Sequence, residues 1–387
     1  MVEKLNRCTF PDSWGFKRLT RRPKELQIYD FDKYYDWDTL FADAVQINDT
    51  TVILIGPPLY EVGEWFKEEC QFKDHLGKNL NFNVVHQAKA CRIEVTVQDY
   101  TLQDLTLVTP RGNATIKLTP INMDFKDKKT IVTISKDHPI EWLKQWIDYH
   151  YTVHDITGIL LYNNNSTLYT SKELEKALDR DDVTIRIVDY NIPFGVMGGG
   201  HWEWDGRTGE HLPWDSDYGQ FVMLEHAKWR WLHSADLVIN ADTDELLVLP
   251  DKSLAEMSEY MDTSANSFWV YRGVWIEPIN SQTGEIAENV AVEDRLFSNY
   301  SKTANSPHRG IPVKWMAKPM RNIASQWLLH GTDGPSMVTS EITFAHYLSM
   351  NTNWSYKRDA FNGKVEDLVE WPQLAKNLAI WKANTTL

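Results

Sequence analysis

Between residues 130 and 275 the chain alternates short apolar runs with longer amphipathic stretches. Residues 130–134 read as a strand, and the following stretch places Ile140, Leu143, Trp146 and Ile147 on one helical stripe. Asp137 suits the N-cap of that helix, with Pro139 tolerated in its first turn. Residues 156–162 predict a second strand, 171–178 a helix and 183–188 a third strand. A long helix over about 218–233 leads into the apolar run Leu237, Val238, Ile239, and 268–275 returns as a strand. Strand and helix in alternation predict an α/β fold, a mostly parallel sheet flanked by helices.

The first 125 residues have another rhythm. Residues 51–55, 83–86, 91–97, 105–108 and 114–118 are short strand-like runs, and 92–98 alternate apolar and polar side chains with period two. Turn residues punctuate them at Gly56-Pro57-Pro58 and at 110–113. The expectation is a mainly antiparallel β-rich accessory module over 1–125 and an α/β catalytic domain over 126–387, parted at the charged cluster 126–129. Residues 193–217 hold three successive glycines (198–200) and Trp202, Trp204 and Trp214. A long loop of this kind reads as an acceptor-binding loop, with a packed hairpin as the alternative.

Composition narrows the function. A formal net charge of −14 over 387 residues argues against nucleic acid or an anionic membrane as a partner held by bulk charge. It leaves room for a local basic pocket. No run approaches the roughly 20 apolar residues of a membrane span. The first residues lack the apolar core of a signal peptide. A cytoplasmic protein with no transmembrane segment is expected, with peripheral membrane contact left open. Three scattered cysteines suit a reducing compartment and read as packing residues. The glycosylation-like triplets at Asn113 and Asn299 then read as chance matches. Seventeen tryptophans leave some for the core and some as platforms for sugar rings.

The most informative stretch is 237–250, where the apolar run ends in Asp242-Thr243-Asp244-Glu245. Ligands of open α/β sheets bind beyond the carboxyl ends of the strands. Carboxylates there suit a hard divalent cation, Mn2+ or Mg2+, that also engages substrate phosphates. Asp-x-Asp is common in an acidic chain, and Asp30/Asp32, Asp36/Asp38, Asp179/Asp181 and Asp215/Asp217 repeat it. Only Asp242/Asp244 follows a continuous buried strand and precedes another apolar run.

Further segments line up in order with a known pattern. Residues 131–150 hold Glu141-Trp-Leu143 and Tyr149-His150; 158–166 end in Tyr162-Asn-Asn-Asn-Ser166. Gln220-Phe221, Trp229 through Pro250, Glu293-Asp-Arg-Leu-Phe297, Lys314, Lys318-Pro319, His330 and His346-Tyr347 follow. Over about 130–350 the chain resembles a GT-A glycosyltransferase, nearest the family 92 and family 2-like group. Asp137-His138 departs from the Asn-Glu more usual in relatives.

The resemblance implies sugar transfer from a nucleotide-diphosphate donor, a UDP- or GDP-sugar, to a glycan hydroxyl, with inversion at the anomeric carbon. Asp244 would ligate the metal, and Asp242 would contact the donor ribose or a metal-bound water. Glu245 lies behind them or begins the next element. A late histidine, His330 or His346, would complete the metal set, and Lys314 and Lys318 would place ammonium charge on phosphate. Ser135, Asp137, Asn163 and Asn165 sit where base and ribose would rest, although 163–165 also read as a turn. Asp294 beside Glu293 matches the position of the catalytic base, with Glu277 as competitor; all suit helix starts equally well. Two rivals remain. A metal-dependent phosphoesterase would need a denser set of His and Asp ligands. A non-catalytic carbohydrate-binding protein with a transferase-like domain would keep the motif without turnover.

Overall fold

The computed structural model describes residues 2–15, 17–20, 22, 24–27, 30–87, 89–99, 102–196, 218–249, 252–305, 310–352 and 357–385. The chain divides into two compact units. One comprises Met1–Glu3, Asp124–Val188 and Ser234–Leu387; the other comprises Lys4–Met123 and Asp189–His233. Trp202, Trp204 and Trp214 lie outside the described residues.

The first unit is α/β. Its strands and helices in chain order are β1 (Lys129–Ser135), α1 (Ile140–His154), β2 (Gly158–Asn163), α2 (Ser171–Leu178) and β3 (Thr184–Asp189). Then come β4 (Leu237–Asn240), β5 (Glu245–Val248), α3 (Leu254–Thr263), β6 (Phe268–Ile276), β7 (Val313–Ala317), β8 (Met337–Tyr347) and α4 (Pro372–Asn384). They make one nine-stranded sheet, ordered Val2–Lys4, β3, β2, β1, β4, β7, β6, β8, β5. β1 runs parallel to both β2 and β4, and β6 runs parallel to β8. The antiparallel β7 joins β4 to β6, and β5 closes the far edge antiparallel to β8. Every residue of β2, β4 and β5 is buried, which explains their unbroken apolar runs.

The helix after β1 starts later than its sequence suggests. Pro139, not Asp137, is the N-cap, and Asp137 stands at φ 55° in the left-handed region. Its carboxylate is taken by the loop after β2, accepting from the Thr167 and Leu168 amides. By contrast α2 keeps its expected bounds, closed by a capping box between Thr170 and Glu173.

The α1 stripe has a second duty. β5 is an edge strand, and an edge leaves backbone groups to be satisfied. Trp146 donates its indole N–H to the Glu245 carbonyl at 2.8 Å. Tyr149 and His154 donate to the Leu247 carbonyl, and His150 accepts the Leu247 amide at 3.2 Å. Burial lowers His150 to about 3, so it is neutral and able to accept. Helix α1 therefore pins the strand that begins at Glu245.

The second unit is built on antiparallel sheets. Asp43–Asn48, Thr51–Gly56, Cys91–Thr96 and Phe82–His86 form neighbouring antiparallel strands, with Thr119–Pro120 added in parallel. A four-stranded sheet joins Gly112–Ile116, Leu105–Thr109, Gln71–Lys73 and Asn79–Leu80. Leu54, Phe66, Phe72, Ile93 and Leu107 lie at the centre of its core. The helix expected over 218–233 is α-helical at Tyr218–His226 and widens to a π-helix at Ala227–Leu232. Its charged residues explain the change of role. His226 and Arg230 grip Asp43, while Lys228 and Arg92 grip Glu225, all within the interior.

Candidate active site

β4 ends at Asn240, and the backbone turns through Thr243 and Asp244 before β5 begins, the Glu245 amide donating to the Asp242 carbonyl. This turn lies past the carboxyl end of β4 and level with the end of β1, since Val132 of β1 faces Asn240 and β1 runs on to Ser135. Glu245, the first residue of β5, stands directly opposite His346 of β8. The Tyr347 amide donates to the Asp244 carbonyl at 2.9 Å and fixes the acidic turn to the end of β8. Asp244, Glu245 and His346 thereby bring one ligand atom each to within 4.8 Å of one another.

The charges around this cluster are tightly arranged. His346 Nε2 is 3.2 Å from Asp244 Oδ2, and its Nδ1 is 3.5 Å from Glu245 Oε1. Lys314 Nζ is 2.7 Å from Asp242 Oδ2 and 3.3 Å from Glu245 Oε2. Arg358 reaches Asp244 at 3.6 Å. Burial pushes Glu245 up to about 7, with Asp242 and Asp244 adding to it against the pull of Lys314. Burial works against Asp244 too, yet His346 and Arg358 hold it below the usual carboxylate range. For Lys314, burial disfavours the charge, but Asp242 and Glu245 outweigh it and raise the ammonium's pKa. His346 follows the same logic, raised chiefly by Asp244 against its own burial.

A divalent cation fits these groups. Two carboxylates and an imidazole are a donor set for Mn2+ or a similar ion. Glu245 Oε1 and His346 Nδ1 are buried, face each other at 3.5 Å and make no hydrogen bond. Buried polar atoms are ordinarily paired, so these two suit a ligand-binding role.

The other expected residues divide by place. Ser135 and Asn163 face each other at the ends of β1 and β2, both buried. Ser135 Oγ lies 2.9 Å from His138 Nδ1, and Asn163 donates to Ser171 while its Oδ1 has no hydrogen-bond partner. Asn165 turns the following loop at φ 54°. His330 is exposed beside β7, its Nδ1 2.8 Å from the Val313 carbonyl and outside the ligand cluster. Glu277 follows β6 directly, and its amide donates to the Lys302 carbonyl at 2.8 Å. Glu293 and Asp294 are exposed on a short 3-10 turn, Val292–Asp294. Arg295 next to them is buried and anchored to Asp359 at 2.8 Å.

Lys318 is directed elsewhere. Ala317 faces Val238, so Lys318 lies at the amino end of β4, opposite from Asp242. Its ammonium bonds Asp236, Ser258 and Asp262 at 2.7–2.8 Å. Three donors meeting three acceptors make it a brace between β7 and α3.

Glu245, expected behind the two aspartates or at the start of the next element, joins the cluster because β5 starts there opposite His346 of β8. Two further participants had no separate signal in the sequence. His138 is lowered by burial against the opposing pull of Asp244 and Asp242, so it adds a neutral imidazole beside the carboxylates. Arg358 arrives from 12 residues beyond His346, where no local pattern marks it.

No family model matches the chain, and no curated protein matches it. Among solved structures it is similar to the mannosyltransferase Ktr4p from S. cerevisiae, at 11% identity and TM-score 0.24. That likeness covers 40% of this chain and 42% of the yeast chain. It is also similar to S. aureus TarS 1–349 in complex with UDP, at 11% identity and TM-score 0.30, over 67% of each chain. A third is core-mannan synthase A from Aspergillus fumigatus in its Mn/GDP form, at 7% identity and TM-score 0.28. There the likeness covers 66% of this chain and 84% of the other. Among the described residues no helix is long and apolar enough to cross a membrane.

Proposed function

We propose that the chain is a GT-A glycosyltransferase of the family 92 or family 2-like group, moving a sugar from a nucleotide-diphosphate donor to a hydroxyl acceptor. The observation that carries this reading is the convergence of Asp244, Glu245 and His346 beyond a strand end, with Asp242 and Lys314 beside them. Asp244, Glu245 and His346 would hold a Mn2+ or Mg2+ ion, which would supply charge neutralisation to the leaving diphosphate, worth several kcal/mol. Lys314, already charged between two carboxylates, adds a second positive group toward phosphate, and Asp242 turns its half-exposed carboxylate toward the ribose. Ser135, Asn163 and Asn165 line the ends of β1 and β2 for the base.

An inverting transfer needs a carboxylate within hydrogen-bond reach of the acceptor hydroxyl. Trp275 faces His346, and Glu277 follows two residues later, directly past the end of β6. Glu277 is accordingly the first choice of base and Asp294 the second. The acceptor oxygen bonds the anomeric carbon as the bond from that carbon to the diphosphate oxygen breaks. The hydroxyl proton passes to the base, and the electron pair leaves with the diphosphate.

The test is hydrolysis of UDP- and GDP-sugars by the full chain with and without Mn2+. Metal-dependent release of nucleotide diphosphate, lost in Asp244→Ala, is the expected result. Nucleotide-sugars left intact by a folded protein would favour a carbohydrate-binding role instead.

A further inference from the structure

The pairing of β6 with β8 is irregular, and the irregularity leads to the histidine. Tyr271 faces Thr339, but Gly273, two residues on, faces Phe344, five residues on. In an unbroken ladder Trp275 would stand opposite Thr343. The bulge carries it to His346 instead. Bulges of this kind recur beside active sites, where they re-aim a side chain.

Gly273 makes the shifted register fit. A Cβ at this position would lie 2.5 Å from the Phe344 ring, so only glycine lets that ring lie across the strand. Past it, the Trp275 indole stacks on the His346 imidazole with centroids 4.1 Å apart and planes at 25°. The indole N–H donates to the Gly310 carbonyl at 2.7 Å, which fixes the platform in its own plane. One face of the imidazole is therefore set by an anchored ring, and its two nitrogens point at Asp244 and Glu245. Groups that orient a ligating histidine tune metal affinity although they never touch the ion.

We propose that Trp275, placed by the bulge and by Gly273, is the positioning residue of the His346 metal ligand. The inference rests on the metal reading given above. Its test is calorimetric titration of the full chain with Mn2+ alone. Trp275→Leu, which fills space without a ring face, weakens Mn2+ binding about tenfold. Trp275→Phe, which keeps a face, restores affinity toward the wild-type value. Wild-type affinity in Trp275→Leu, with binding lost in Asp244→Ala, overturns the positioning role and leaves the metal site standing. Undiminished binding in Asp244→Ala removes the metal site itself. If Trp275→Leu does not fold, Gly273→Ala is the second arm, since it displaces Phe344 and disturbs the same register. Weaker Mn2+ binding there supports the inference, and unchanged affinity contradicts it.

Discussion

Glu245 is the residue where the site's electrostatics become measurable. In the metal-free protein burial raises it to about 7, above the ordinary carboxylate value. The folded state therefore holds this proton where the unfolded state has released it, and stability falls as pH rises between about 4.5 and 7. Glu245→Gln removes that dependence while keeping an oxygen for the Asp242 amide. Urea unfolding without metal should show the variant gaining on wild type, by roughly 3 kcal/mol at pH 8. At pH 4 the gain should be absent. A constant difference across pH would mean that Glu245 does not carry the raised proton. None of this was readable from Asp-x-Asp spacing, which marks Asp242 and Asp244 but is silent on the third carboxylate. Asp36, from a spacing repeat with no leading strand, is buried and bonds the Thr39 amide, a local turn role.

At the scale of elements, strand direction rather than order in the sequence decides which residues reach the acidic turn. Lys318 lies in the same ordered series as Lys314, yet the two differ because β7 is antiparallel to β4. One end of β7 delivers Lys314 to the acidic turn, and the other delivers Lys318 to Asp236 and to Ser258 and Asp262 of α3. Lys318→Met should cost about 2 kcal/mol in urea unfolding, because a buried ammonium is removed from carboxylates that remain partly wet. Nucleotide affinity should be unchanged. Weaker nucleotide binding at wild-type stability would return Lys318 to the donor site. The same scale explains the Trp146, Tyr149, His150 and His154 set of α1. As a sequence it reads as a helix stripe, and in the structure it supplies the edge of β5 with hydrogen bonds. Helical period reveals which residues share a face, and only the sheet order reveals what that face must satisfy.

For the whole molecule, the alternation of strands and helices after residue 130 was sufficient to read the α/β class, and the period-two runs before it to expect antiparallel strands. What local pattern could not supply was partnership over long separations. Asp189–His233 belongs to the same compact unit as Lys4–Met123, through buried pairs such as Asp43 with His226 and Arg230. Residues nearly two hundred positions apart leave no trace of pairing in periodicity. The strand end carrying Asp242 and Asp244 was legible because burial on both faces and sudden acidity coincide there. Arg358 and Trp275 were not, since each meets its partner, Asp244 or His346, only through segments far apart in the chain.

The most direct measurement is thermal unfolding of the full chain with Mn2+ and a panel of nucleoside diphosphates that includes UDP and GDP, wild type beside Asp244→Ala. A ligand bound only by the folded state adds about 2.7 kcal/mol at a hundredfold excess over its dissociation constant. A metal-dependent rise in Tm with one nucleotide, absent in Asp244→Ala, is the expected result. A wild-type protein that is folded and shifts with no nucleotide, or a shift that survives Asp244→Ala, would contradict it.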